Sequence, residues 1–135
     1  MMKKVSIFLL LIAWCMLSYA AAPVLISLQD GKNYARLSDN KTVLLSGDYK
    51  TGKEETLITF STMRNVPLST VEAFRFSPDY TRVLLRAADK DYYVYQFANN
   101  RCDKLSLKGA QNMPIFSPDG SMVAFERDNN IFIKR

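Results

Sequence analysis

The sequence has no histidine. A Ser-His-Asp arrangement therefore cannot form, because no imidazole is present to take a nucleophile's proton. There is also no G-x-S-x-G elbow to expose a serine at a strand-to-helix turn. Cysteine is scarce: only Cys15 and Cys102 occur. Cys15 falls in a leader segment described below, which leaves Cys102 alone and no internal disulfide possible. Without a histidine partner Cys102 makes no catalytic pair. It is either a reactive or intermolecular thiol or a small residue beginning a strand after Asn99-Asn100-Arg101, and the second is the expectation.

Metal ligands would have to be carboxylates alone. Asp89, Asp91, Glu126 and Asp128 flank strands, but their spacing fits no EF-hand loop, so they read as solvated turn residues. Glu54-Glu55 is an acidic pair, yet neighbours on a strand point to opposite faces. No catalytic residue, metal or cofactor is assigned. Basic clusters are missing as well. The net charge is +5; setting aside Lys3 and Lys4 leaves 16 basic against 13 acidic residues, scattered along the chain. Nucleic-acid binding needs a clustered patch, so nucleic acid is not an expected partner. The longest apolar run, Val5 to Leu17, is 13 residues, short of the ~20 of a spanning helix. No window beyond it has amphipathic helical spacing.

What is present begins with a secretory signal peptide over residues 1–20. Lys3-Lys4 is the positive start, Val5 to Leu17 the apolar stretch, and Ser18-Tyr19-Ala20 a small-x-small cleavage site. Cleavage after Ala20 is preferred to cleavage after Ala22, where Pro23 would follow the cut. The bulky Trp14 before Cys15 argues against lipid attachment. The expected product, residues 21–135, is exported and keeps no stable membrane anchor; an uncleaved anchor is the alternative.

The rest is built on a repeated phrase. Phe76-Ser77-Pro78-Asp79-Tyr80-Thr81-Arg82-Val83-Leu84-Leu85 matches Phe116-Ser117-Pro118-Asp119-Gly120-Ser121-Met122-Val123-Ala124-Phe125 at an offset of 40. Pro presets φ, Asp bonds its own backbone and Gly tolerates positive φ, so each copy reads strand, tight turn, strand. A repeat of about 40–45 residues made of strands is the signature of propeller blades. Each blade is a four-stranded antiparallel sheet that needs neighbours to cover its faces. The fold expected is all-β: a partial β-propeller of about two and a half blades. The two hairpins should superpose in adjacent sheets packed face to face.

In chain order, Asp30-Gly31 is a turn between Val24-Leu25-Ile26 and Tyr34 to Leu37. Thr42 to Leu45 and the alternating Glu55 to Phe60 read as strands, with a turn at Lys50 to Lys53. The region from Ser38 to Leu45 imitates the Ser77 hairpin without its proline. Alternatively, Thr51-Gly52-Lys53 imitates Asn99-Asn100-Arg101 at an offset of 48, which fits better and leaves the first blade incomplete at its start. Ser61 to Thr70 connects to the complete blade. Its strands are expected at Ala73–Phe76, Arg82–Ala87, Tyr92–Phe97 and Lys104–Leu107. The last blade stops in or after its third strand, Ile131-Phe132-Ile133. Alternation puts Tyr93, Tyr95 and Phe97 on one face, where they pack between blades or stack on a ligand; packing is the expectation. Asn40-Lys41-Thr42 fits a glycosylation sequon by chance.

The ordered set Tyr49 to Lys53, Asp91-Tyr92-Tyr93-Val94-Tyr95, the Ser-Pro-Asp-Gly hairpin and Arg127 to Ile133 resembles the N-terminal β-propeller of dipeptidyl peptidase IV, of the prolyl oligopeptidase family of serine peptidases. It is most similar to the secreted or periplasmic enzymes of Bacteroides-like bacteria. The resemblance runs from about Tyr34 to the end. It implies a propeller capping a C-terminal α/β-hydrolase domain, and removal of X-Pro or X-Ala dipeptides from peptide substrates by the full-length family. The catalytic Ser, Asp and His, and the two Glu residues that bind the substrate amino group, lie beyond the matched part. The family's substrate-contacting Arg sits in a longer loop before the Tyr-Tyr strand. Only Ala87-Ala88-Asp89-Lys90 stands there, so that role does not pass to Arg86. The chain is expected to be the non-catalytic N-terminal part of such an enzyme, ending inside a blade and poorly soluble alone. A stand-alone propeller-repeat binding module is the alternative, and the coding DNA after codon 135 separates the two. The sequence leaves oligomeric state open.

Overall fold

Turn chemistry and strand alternation set the architecture. The computed structural model describes residues 23–135. The expected signal peptide and its cleavage sites lie outside the described residues. Among the described residues twelve strands occur, with two single-turn 3-10 helices at Phe60–Thr62 and Phe97–Asn99. Among the described residues no helix is long and apolar enough to cross a membrane.

Sheet I holds β1 (Ile26–Ser27), β2 (Asn33–Leu37), β3 (Val43–Asp48) and β4 (Glu54–Thr59), in that order. Sheet II runs β5-β9-β8-β7-β6, from β5 (Arg64–Asn65), β6 (Val71–Phe76), β7 (Arg82–Ala87), β8 (Tyr92–Gln96) and β9 (Arg101–Lys104). Sheet III holds β10 (Asn112–Phe116), β11 (Val123–Arg127) and β12 (Asn130–Lys134). The described residues are all-β, and three successive sheets, each laid down by consecutive antiparallel strands with β5 added beside β9, make them a partial β-propeller.

The Ser-Pro-Asp hairpins join first to second strands in sheets II and III. Ser77 N–H donates to Arg82 C=O and Tyr80 N–H to Ser77 C=O; Ser117 to Met122 and Gly120 to Ser117 repeat this. Ser77 Oγ donates to Asp79 Oδ1 and Ser117 Oγ to Asp119 Oδ1, both at 2.6 Å. Tyr80 and Gly120 sit at φ +58° and +72°, which strains a tyrosine and suits glycine. Sheet I has the same turn at Leu28 to Gly31, with Gly31 N–H on Leu28 C=O and φ +64°. The offset from Gly31 to Tyr80 is therefore 49. Gly52 at φ +70° and Asn100 at φ +53° close matching turns before the fourth strands, as the offset of 48 predicts. Ser38 to Lys41 instead turns β2 into β3, the place of Ala87 to Lys90 in sheet II.

Three expectations need correction. Sheet I is not missing a strand at its start; β1 is present but only two residues long. The fourth strand of sheet II starts at Arg101 rather than Lys104, because left-handed Asn100 restarts the ladder at once. Leu105 then turns inward, N–H bonded to Tyr92 C=O. Sheet II also has five strands, not four: Arg64-Asn65, expected as connection, pairs parallel to Arg101-Cys102.

Alternation divides the core in two. Between sheets I and II lie Ala35, Leu44, Ile58, Phe60, Val83, Leu85, Tyr93, Tyr95 and Cys102. Between sheets II and III lie Leu84, Val94, Leu105, Phe116, Val123 and Phe125. Successive residues of β7 and β8 thus serve opposite cores. The Tyr93, Tyr95 and Phe97 rings pack between sheets, whereas Tyr92 joins the other core. The two ends of the stack differ. Sheet I's outward face carries Tyr34, Arg36 and Glu54: Arg36 Nε and Nη2 donate to the Glu54 carboxylate at 2.6 and 2.8 Å, and Tyr34 OH at 2.9 Å. Sheet III's outward face carries exposed Met113, Ile115, Ile131 and Ile133.

Candidate functional site

The residues weighed as ligands fall in two places, Asp89 and Asp91 in sheet II and Glu126 and Asp128 in sheet III. Asp89 accepts from Tyr93 OH at 2.8 Å and from Asp91 N–H at 3.0 Å. Asp91 pairs with Lys104 Nζ at 2.5 Å. Glu126 and Asp128 belong to sheet III, Glu126 in β11 and Asp128 in the turn after it. Among the described residues no three of His, Cys, Asp and Glu group closely enough to hold a metal ion. Glu54 faces Arg36 and Tyr34, while Glu55 is exposed. Asn40 Oδ1 accepts from Ser38 and Thr42 and serves its own turn.

Cys102 is fully buried in the first core. Desolvation, aided by the Asp103 charge, pushes its thiol up to about 12, so the nucleophilic thiolate is scarce. Burial and the bond to Asp89 likewise push Tyr93 up to about 12. The Ala87–Lys90 segment is a tight turn, Lys90 N–H on Ala87 C=O at 2.9 Å with Lys90 at φ +68°. It extends no arm over the sheet edge.

Side chains tie sheet II to sheet III. Arg82 Nη1 donates to Ser121 C=O at 3.0 Å and Gly120 C=O at 3.3 Å. Arg127 Nη1 donates to Ser106 Oγ at 2.7 Å, and its guanidinium lies 3.8 Å from the Phe132 ring centroid. Lys134 Nζ donates to Lys104 C=O. Gln111 Oε1 accepts from Tyr92 N–H at 3.1 Å.

Two open grooves lie along the free edges of the first strands. The groove between sheets I and II, about 620 Å³, is lined by Val24, Ile26, Leu37 and Phe74, with Asp39 and Glu72 at its rim. The groove between sheets II and III, about 420 Å³, is lined by Arg75, Leu84, Arg86, Tyr92 and Pro114 among others. Sequence reasoning did not bring Arg75 and Arg86 together. Their convergence rests on register, Arg86 opposite Ala73 and Arg75 opposite Leu84. The available signal was the repeat: aligned copies hold Ile26 and Leu37 in sheet I, Ile115 and Glu126 in sheet III.

The comparisons agree with the blade architecture. Residues 69–135 match the family model described as the dipeptidyl peptidase IV N-terminal region. The chain is similar to dipeptidyl peptidase 4 of Porphyromonas gingivalis, with 32% identity and a TM-score of 0.72 over 85% of this chain and 18% of that one. It spans, then, under a fifth of that peptidase. A protein assigned as TolB from Agrobacterium tumefaciens gives 16% identity and a TM-score of 0.52 over 85% of this chain and 42% of that one. The WD40 β-propeller domain of Doa1 gives 15% and 0.50 over 86% and 38%. These last two bear on fold alone. No curated protein matched the sequence.

Proposed function

Residues 69–135 belong to the N-terminal region of the dipeptidyl peptidase IV family, and from that premise we propose that the chain is a non-catalytic propeller portion of a secreted or periplasmic serine dipeptidyl peptidase. The observation that carries the reading is the fit to the Porphyromonas gingivalis peptidase across 85% of this chain at 32% identity. In the complete enzyme the propeller would cap an α/β-hydrolase domain and admit peptides from which X-Pro or X-Ala dipeptides are released. The groups supplied here support a structural part in that work. No histidine occurs in the sequence, and the buried Cys102 thiol is held protonated by desolvation. Export would follow from the Lys3-Lys4, Val5 to Leu17 and Ala20 pattern.

A segment exchange tests the reading. Residues 34–135 replace their counterpart in the Porphyromonas gingivalis enzyme, and release of a Gly-Pro chromogenic group is measured. Retained turnover is the expected result; a folded, inactive chimera would overturn the assignment. The chain alone should show no turnover on the same substrate. A fusion of residues 1–22 to a reporter should yield a secreted product, cut before Ala21.

A further inference from the structure

Arg36, Arg82 and Arg101 each meet a carboxylate or carbonyl partner, and Arg127 meets the Ser106 hydroxyl and Lys108 C=O. Arg75 and Arg86 have none among the described residues, yet both line the groove between sheets II and III. They share one face of sheet II. Arg86 stands opposite Ala73 and Tyr92, and Arg75 opposite Leu84. The blade does not require them: Ile26 and Leu37 fill their places in sheet I, and Ile115 and Glu126 in sheet III. Local departures of this kind concentrate at functional positions.

We propose that this groove binds an extended peptide through an acidic side chain, with Arg75 and Arg86 taking the carboxylate. The guanidiniums supply fork-shaped donors matched to a carboxylate. The extended shape follows from the edges. β6 ends sheet II and β10 ends sheet III. Apart from Val71 N–H on Lys41 C=O, no β6 backbone group bonds outward among the described residues. A strand added there would pair with β6. Its residue opposite Arg75 would sit on the same face, with Cβ atoms about 4.5–5.5 Å apart. A carboxylate on that residue points into the groove that both arginines line, and an apolar residue two positions away, on the same face, rests on Leu84 and Pro114. The inference does not depend on the peptidase reading, because both walls of the groove belong to this chain.

The test is fluorescence anisotropy on the full chain with labelled, amidated Ser-Leu-Thr-Glu-Val-Ser-Gly, its Gln counterpart, and inorganic phosphate as competitor. The Glu peptide should bind, the Gln peptide about tenfold or more weakly, since a charge-assisted contact is lost. Added salt should weaken the Glu complex. Arg75→Ile with Arg86→Leu, the residues sheet I carries, should abolish binding while leaving the thermal midpoint unchanged. Arg86→Lys should keep the salt dependence but lose affinity, as an ammonium lacks the fork. Equal affinity for both peptides, no saturable binding, undiminished binding by the double variant, or displacement by phosphate at the peptide's own concentration would each overturn the proposal.

Discussion

At the residue scale, burial and local hydrogen bonds decide what each group can do. Cys102 is enclosed by the first core and its thiol is pushed up to about 12 by desolvation. A thiol reagent at pH 8 should leave it untouched in the native chain and modify it fully in denaturant. Rapid native labelling would mean that the first core opens readily. The carboxylates move the other way. Bonds from Ser117 and Ser121 hold Asp119 down to about 2. Ser77 and Thr81 lower Asp79, and Arg36 and Tyr34 lower Glu54. Folded values below unfolded ones give stabilisation that is present above about pH 4 and lost as pH falls toward 2. Tyr93 and Cys102 have raised values, so their contribution is present below about pH 9 and lost as pH rises toward 12. No histidine titrates between these limits. The thermal midpoint should therefore be flat from about pH 5 to 8 and fall on both sides; a step near neutrality would contradict this assignment.

At the element scale, what holds one sheet to the next is a few side chains at the seams. Arg127 is the clearest case at the joint of sheets II and III. Its head bonds Ser106 and Lys108 C=O and lies over Phe132, largely out of water. Arg127→Ala should cost about 1–3 kcal/mol, because it strips partners from buried polar groups. A lowered urea midpoint with an unchanged slope would show it; an unchanged midpoint would remove Arg127 from the joint. The hairpins were legible in the sequence because Ser-Pro-Asp chemistry is local, and β7 spans Arg82–Ala87 as expected around its apolar Val83-Leu84-Leu85 centre. β5 was not legible: two polar residues pair in parallel with a strand 37 positions later, a register no local pattern encodes. β9 was misplaced for a related reason. Leu105 and Leu107 looked like strand residues, but Leu105 fills the second core and Leu107 is exposed after the ladder has ended. The Arg75–Arg86 pair has no local signature, because the two lie on different strands, Arg86 opposite Ala73 and Arg75 opposite Leu84, and only register sets them on one face.

At the scale of the molecule, the two outer faces of the stack are unlike, and that difference governs association. Sheet I places Tyr34 and Arg36 where sheet II has Val83 and Leu85 facing the core, and the Arg36–Glu54 pair closes over that surface. A polar outer face is how terminal repeats avoid further stacking. Sheet III has no such finish. Ile131 and Ile133 are 80% and 64% exposed, with Met113 and Ile115 beside them. They stand where Tyr92 and Val94 of sheet II meet sheet III. An exposed apolar face of this kind, bordered by the open edge of β12, invites association. The full chain in isolation should therefore self-associate through sheet III. Light scattering after size exclusion should show a mass that rises with concentration. Ile131→Lys with Ile133→Lys should return it to monomer without loss of strand signal, because both side chains already face water. Thr56→Lys, on the exposed side of sheet I, should leave the association as it was. A wild-type chain that stays monomeric at every concentration would mean that sheet III's apolar face does not drive association. Dispersal by Thr56→Lys alone would instead place the contact on sheet I and reverse the polarity argued for the stack.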